Sequence, residues 1–224
     1  MIWKKIIAII MTVFIGINVS GCGFTKEFDA QGYIQAILDL NFQGDVALAT
    51  QFFEKETSKE LTKHYNACVQ QFVLDHLTGD IEMNNDLLDK YIELTKELFS
   101  AIRYSVKDTK KISSTEYEVT VTYQTMDVLP NFIKSLQKDS AELEEKAANG
   151  GYPGTQEEVS VQMMDEFRND AYELYESAYL KLNYGAKEEQ VIKIKGSSIK
   201  GFSIPKDTVE KLLIKILDLD SIQG

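Results

Sequence analysis

Around residue 102 the spacing of apolar side chains changes, and this change restricts the chain to folds that join helices to a sheet. Upstream, apolar residues recur every three or four positions, as on one face of a helix. Tyr33, Ile34, Ile37 and Leu38 follow the N-cap type Asp29, and Gly44 ends their pattern before a short helix around Val46 to Phe53. Leu61, Tyr65, Cys68, Val69, Phe72, Val73 and Leu77 then follow the capping box Thr57-x-x-Glu60, with Gly79 as the stop. Another helix opens at Asn85 with Leu88, Tyr91, Ile92, Leu98 and Phe99. Downstream, in "TEYEVTVTYQTM", Tyr117, Val119, Val121 and Tyr123 alternate with Glu118, Thr120 and Thr122, the two-residue period of a half-buried strand. "IRYSVKD" alternates more weakly before it, and "KKISST" separates the two, so a β-hairpin is predicted.

Helical spacing returns after Leu129-Pro130-Asn131 and runs to about Ala148, where "NGGYPG" is the strongest loop signal in the chain. A second capping box, Thr155-x-x-Glu158, opens a long helix to about Asn183, with Met164, Phe167, Ala171, Leu174, Tyr175, Ala178 and Leu182 facing the core and Gly185 stopping it. "EQVIKIKGSSIKGFSI" sets Val191 and Lys193 on one face and Ile192 and Ile194 on the other, and turns at Gly196-Ser197-Ser198, which predicts two more strands. Asp207-x-x-Glu210 caps a last helix bearing Val209, Leu212, Leu213, Ile216 and Leu217. Strand pairs that follow helices predict an α+β fold: a helix-rich domain over residues 29–224, with a small antiparallel sheet of three to four strands covered by helices on one face.

The first residues carry a different message. Lys4 and Lys5 precede the apolar-to-small run "IIAIIMTVFIGI", the n-region and h-region of a secretory signal peptide. The run from Ile6 to Ile17 is too short to cross about 30 Å of hydrocarbon, which takes about 20 residues. Val19-Ser20-Gly21-Cys22 resembles the bacterial lipobox, in which an aliphatic residue and two small ones precede the cysteine that becomes the mature N-terminus. The resemblance implies cleavage between Gly21 and Cys22, a signal peptide over residues 1–21, and a diacylglyceryl thioether on Cys22. Two or more acyl chains give stable anchoring in a lipid bilayer. Residues 22–28 then form a short lipidated tether, and the expected location is the outer face of the cell membrane.

Removal of residues 1–21 takes away two lysines and no acids, leaving 22 basic residues against 35 acidic ones, a formal charge of −13. A nucleic acid is excluded as a natural partner, because every phosphate contact would begin against net repulsion. Trp3 belongs to the signal, so the mature chain has no tryptophan, although 11 tyrosines remain. With Cys22 acylated, Cys68 has no second thiol with which to form an intramolecular disulfide.

Taken together, "VSGC", the early helix "FDAQGYIQAILDLNFQGD" and the strand "YEVTVTYQTM" resemble the lipoproteins of Gram-positive bacteria in which a lipobox precedes one domain of unknown function. The resemblance implies no catalytic residues. At the level of fold, a cystatin-like or nuclear-transport-factor-like sheet with helices fits the same pattern.

The residues themselves offer little chemistry. His64 and Cys68 share a helix face at a four-residue spacing, but a closed zinc site needs about four ligands, and a buried thiol beside a surface histidine accounts for both. No G-x-S-x-G elbow occurs, and the glycines of "NGGYPG" lack the strand and spacing of a phosphate-binding loop. No metal and no cofactor are expected. The remaining feature is a stripe of Tyr172, Tyr175 and Tyr179 with Arg168 one turn before it. Tyrosine combines a rigid apolar body with a polar tip. With Tyr152 of the loop, the stripe forms a candidate groove for a peptide or small ligand, while a widened core face explains the same spacing. The expectation is a non-enzymatic binding or scaffolding lipoprotein with a protein or small-molecule partner; the alternative is a small-molecule or peptide binding protein that captures or senses a solute.

Overall fold

The computed structural model describes residues 28–222 apart from 54, 79, 80, 82 and 198–200. The signal peptide, Cys22 and the tether up to residue 27 lie outside the described residues. The chain divides into two compact units. One comprises residues up to Gln124 together with Ala186–Leu213, and the other Thr125–Gly185 together with the residues from Ile214 onward.

In the first unit, α1 (Ala30–Leu38) begins where the Asp29 carboxylate accepts the Gly32 N–H at 2.7 Å. It runs into a widened, π-helical turn, Asp39–Gln43, and stops at Gly44. Gly44 has φ 67° and lies so close to the Tyr65 ring that a Cβ would sit 2.7 Å from it, so only glycine closes this helix. After α2 (Ala49–Phe52), α3 (Ser58–Phe72) carries both halves of the capping box between Thr57 and Glu60 and ends in a second widened turn, Val73–Thr78. α4 (Asn85–Ser100) is capped by Asn84, whose side chain accepts from Leu87 N–H at 2.8 Å.

The sheet is antiparallel, with four strands in chain order: β1 (Tyr104–Lys111), β2 (Glu116–Met126), β3 (Tyr184–Ser197) and β4 (Gly201–Ser203). The alternation read from β2 is the alternation of burial. Tyr117, Val119, Val121 and Tyr123 are buried, and Ile192 and Ile194 of β3 join them while Val191 is half exposed. Each such aliphatic side chain contributes roughly 1.5–3 kcal/mol on burial, as an upper figure. β1 packs against α1, and Gln31 Nε2 donates to the Val106 carbonyl at 3.3 Å. The ladder of β1 shifts register between Val106 and Thr109, and charged residues beyond it keep this edge from pairing with another chain.

In the second unit, α5 (Val128–Ala148) and α6 (Gln156–Leu180) pack as an antiparallel pair. Pro130 sits in the first turn of α5, where a missing N–H costs nothing. Asp127 does not cap α5 with its side chain; its carboxylate instead accepts from the Asn183 backbone at 2.8 Å and from the Asn183 side chain at 3.2 Å, closing the far end of the pair. α7 (Thr208–Ile216) begins in the first unit and passes into the second at Ile214, and a single tight turn, Leu219–Ile222, follows it.

The α+β class and the strand count agree with the sequence. Several boundaries differ: β1 runs on to Lys111, into the segment read as the hairpin turn, and two more differences lie between α6 and β3. α6 ends at Leu180 rather than Asn183, and Gly185 lies inside β3 rather than ending a helix. A Cβ at Gly185 would collide with the Thr125 hydroxyl, so glycine is needed there for close approach of the two strands.

Candidate functional site

The second unit gathers most of the residues singled out in the sequence. The loop 149–154 starts with the Gly151 N–H donating to the Lys146 carbonyl at 2.8 Å, and a Cβ on Gly151 would lie 2.8 Å from that same carbonyl. Gly150 and Gly154 take positive φ of 73° and 112°. The turn thus made folds Tyr152 inward until it is only 8% exposed. Its hydroxyl donates to Glu166 Oε2 at 2.9 Å, and Lys146 Nζ donates to both Glu166 oxygens at 2.7 and 2.6 Å. The same ammonium stands 4.6 Å from the centroid of the Tyr152 ring.

The electrostatics of this trio are mutually supporting. The Lys146 hydrogen bond holds the Glu166 carboxyl below its usual range, and the Glu166 hydrogen bond holds the Lys146 ammonium above its own. Burial, followed by the hydrogen bond to Glu166, raises the Tyr152 phenol. Two further carboxyls of the hairpin move the other way. Burial raises Asp139, with the negative charges of Asp170, Glu142 and Glu166 adding to it, and burial with Glu166 and Glu173 raises Asp170. One oxygen of Asp139 is buried with no hydrogen-bond partner.

The tyrosine stripe does not act as one surface. Tyr175 is wholly buried and packs on Phe132 of α5, ring centroids 5.2 Å apart, so it fills the core of the hairpin rather than lining a groove. Tyr152 does not join the stripe on the tyrosine side of α6: it binds Glu166, two and a half turns before Tyr175. Tyr172 and Tyr179 are half-buried on that side. Arg168 pairs with Asp165 at 2.6 Å one turn away, and its Nε is buried with no hydrogen-bond partner. That side of α6 thus carries two half-buried phenols and the Arg168 guanidinium.

In the first unit, His64 lies 4.0 Å from Glu56, and burial pushes the half-buried Cys68 thiol above its ordinary pKa. His76 packs on Phe72 with ring centroids 4.8 Å apart, and burial lowers its pKa. Among the described residues no three His, Cys, Asp or Glu side chains come together as a metal site. A network absent from the sequence reading lies at the first widened turn. Asp39 accepts from the Tyr104 hydroxyl and, at 2.6 Å, from Gln35 Nε2, and burial followed by the Asp39 bond raises the Tyr104 phenol far above its ordinary value. The pairing of α1 with β1 brings Asp39 and Tyr104 together, and no local pattern announces it. Lys146 with Glu166 is more accessible to reasoning: Phe132, Asp139 and Lys146 step down one face of α5 at seven-residue intervals, opposite a helix that the glycine loop turns back on it.

No family model matches the chain, and no curated protein sequence is similar to it. Among solved structures, that of a candidate lipoprotein of Bacillus subtilis, YcdA, is similar in part, with 16% identity and a TM-score of 0.45, over 82% of this chain. The chain spans 54% of the length of that protein.

Proposed function

We propose that the chain is a lipid-anchored extracytoplasmic lipoprotein whose α+β body acts without catalysis, binding or scaffolding a partner at the outer face of the cell membrane. The observation that carries this reading is the order of Lys4 and Lys5, the apolar run from Ile6 to Ile17, and Val19-Ser20-Gly21-Cys22. Among the described residues no helix is long and apolar enough to cross a membrane. The mature charge of −13 suits a body that stands in water beside a negatively charged surface. Cys22→Ala is expected to abolish labelling by a fatty-acid analogue and to leave the protein unprocessed or released from membranes. Unchanged labelling overturns the anchor.

A second reading, capture of a peptide or small solute, is favoured by the half-exposed Tyr172 and Tyr179 beside Arg168. Native mass spectrometry of the mature protein exposed to envelope extract tests it. A discrete added mass that disappears in a folded Tyr172→Ala, Tyr179→Ala double variant supports capture; a bare protein in both forms opposes it.

A further inference from the structure

The described chain starts at one fixed end of the sheet. The Phe28 ring stacks on Phe202 of β4 with centroids 3.8 Å apart and lies 5.5 Å from Tyr117 of β2. Tyr117 stands opposite Lys111 in the β1–β2 ladder, and Phe202 stands opposite Gly196 in the β3–β4 ladder. The Gly196 N–H in turn donates to the Thr115 carbonyl at 2.7 Å. Phe28, the β1–β2 turn at residues 112–115 and the last residues of β3 therefore share one end of the sheet.

That end differs in charge from the rest of the mature chain. Lys110 and Lys111 are exposed, and the side chains of Lys193 and Lys195 are 68% and 73% exposed. Glu118 and Glu116 approach the last two only to 3.6 and 3.8 Å, and Glu27 and Asp29 flank Phe28 in the sequence, with Lys26 before them. With Lys26 counted, five lysines stand against these four acids in a chain whose balance is otherwise strongly negative. Between them Ile112, at the turn itself, is 46% exposed. An apolar tip flanked by lysines is the arrangement that seats at a membrane interface, with the apolar group among the headgroups and the ammonium groups on lipid phosphates.

We propose that this end of the sheet docks on the anionic phospholipid surface of the membrane, through Lys110, Lys111, Lys195 and Ile112. The inference rests on the anchor at Cys22. From Cys22 to Phe28 is six residue steps, at most about 21 Å when extended. A leash of that length lets the lysines come within one Debye length of the headgroups, about 8 Å at physiological salt, while the acidic remainder of the chain is repelled by the same surface. Attraction at one end and repulsion elsewhere orient the protein.

The absence of tryptophan from the mature chain supplies the test, because Ile112→Trp introduces a single emitter. The full-length variant, processed and lipidated in cells, is reconstituted into phosphatidylcholine vesicles containing brominated lipid, with or without phosphatidylglycerol. With phosphatidylglycerol the emission is expected to move to the blue and lose half or more of its intensity, and to recover at high salt. Lys187→Trp, eight residues before Lys195 on β3 and so about 26 Å away, is expected to show neither change. Adding Lys110→Glu and Lys111→Glu to the Ile112→Trp protein should remove the response while the protein still floats with the vesicles. Flotation with unchanged emission overturns the docking and leaves the anchor standing. Failure to float, with no lipid mass on Cys22, overturns the anchor and the docking together.

Discussion

Tyr152, Lys146 and Glu166 make the loop 149–154 sensitive to acid. The Glu166 pKa is lowered on folding, so its contribution is complete above the ordinary glutamate range and is lost as pH falls through the lowered value. The Lys146 pKa is raised, so its contribution persists below the ordinary lysine range and is lost only as pH rises through the raised value. The loop is therefore expected to let go of Tyr152 in acid while the hairpin remains folded, seen as loss of the shifted Tyr152 ring resonances; resonances that persist until global unfolding refute this. Asp139 has the opposite sign. Its pKa is raised by burial and neighbouring acids, so its charge opposes folding at neutral pH, and Asp139→Asn should stabilise by roughly 0.5 kcal/mol after allowance for solvent screening. Thermal melts should show that gain shrinking as pH falls and the wild-type carboxyl takes up its proton. Within the stripe, Tyr175→Ala empties a fully buried site and should cost about 3–5 kcal/mol in urea unfolding, whereas Tyr179→Ala, at a half-buried position, should cost less than half as much. Equal costs would mean that the two tyrosines are buried alike.

At the scale of elements, the local signals that match a single hydrogen-bonded device survive into the structure. Thr57 and Thr155 each form both halves of a capping box, and Thr155→Ala should cost about 1 kcal/mol, measured against wild type by chemical denaturation. The alternation in β2 was legible because one face of that strand is buried and the other is wet. The first half of β3 was not, because Lys187, Glu188 and Glu189 are exposed and the strand exists through pairing with β2 rather than through its own pattern. Glu188 nevertheless takes part in the sheet, accepting from the Tyr123 hydroxyl at 2.9 Å; burial, followed by this bond, pushes that phenol up to about 12. The widened turns Asp39–Gln43 and Val73–Thr78 leave no mark in apolar spacing, since one extra residue per turn shifts the face by less than the width of the apolar stripe. The candidate groove failed at Tyr175 for a related reason: spacing reports that residues share a side of a helix, and not whether a second helix lies against that side. Gly185→Val is a sharper probe of the element the sequence missed, since the new side chain would meet Thr125 and should weaken the pairing of β2 with β3, exposing their amides to hydrogen exchange.

For the molecule as a whole, a formal charge of −11 means that like charges repel throughout the folded state, so added sodium chloride should raise the melting temperature even though it weakens individual ion pairs. A fall with salt would show that pairs such as Lys146 with Glu166 outweigh the general repulsion. The two compact units are joined by strands rather than by linkers: β2 leaves the first unit after Gln124, and β3 re-enters it at Ala186. Neither unit is a continuous stretch of chain, so cutting the gene between them would sever β2, β3 and, between Leu213 and Ile214, helix α7. Phe28 adds a mechanical consequence. A pull on the chain from its N-terminal side is delivered to the ring stacked on Phe202, and thus to β4, a strand of three residues held by three facing pairs. β4 is the shortest strand of the sheet, so a pull passed through this ring stack would strain β4 before β2 or β3.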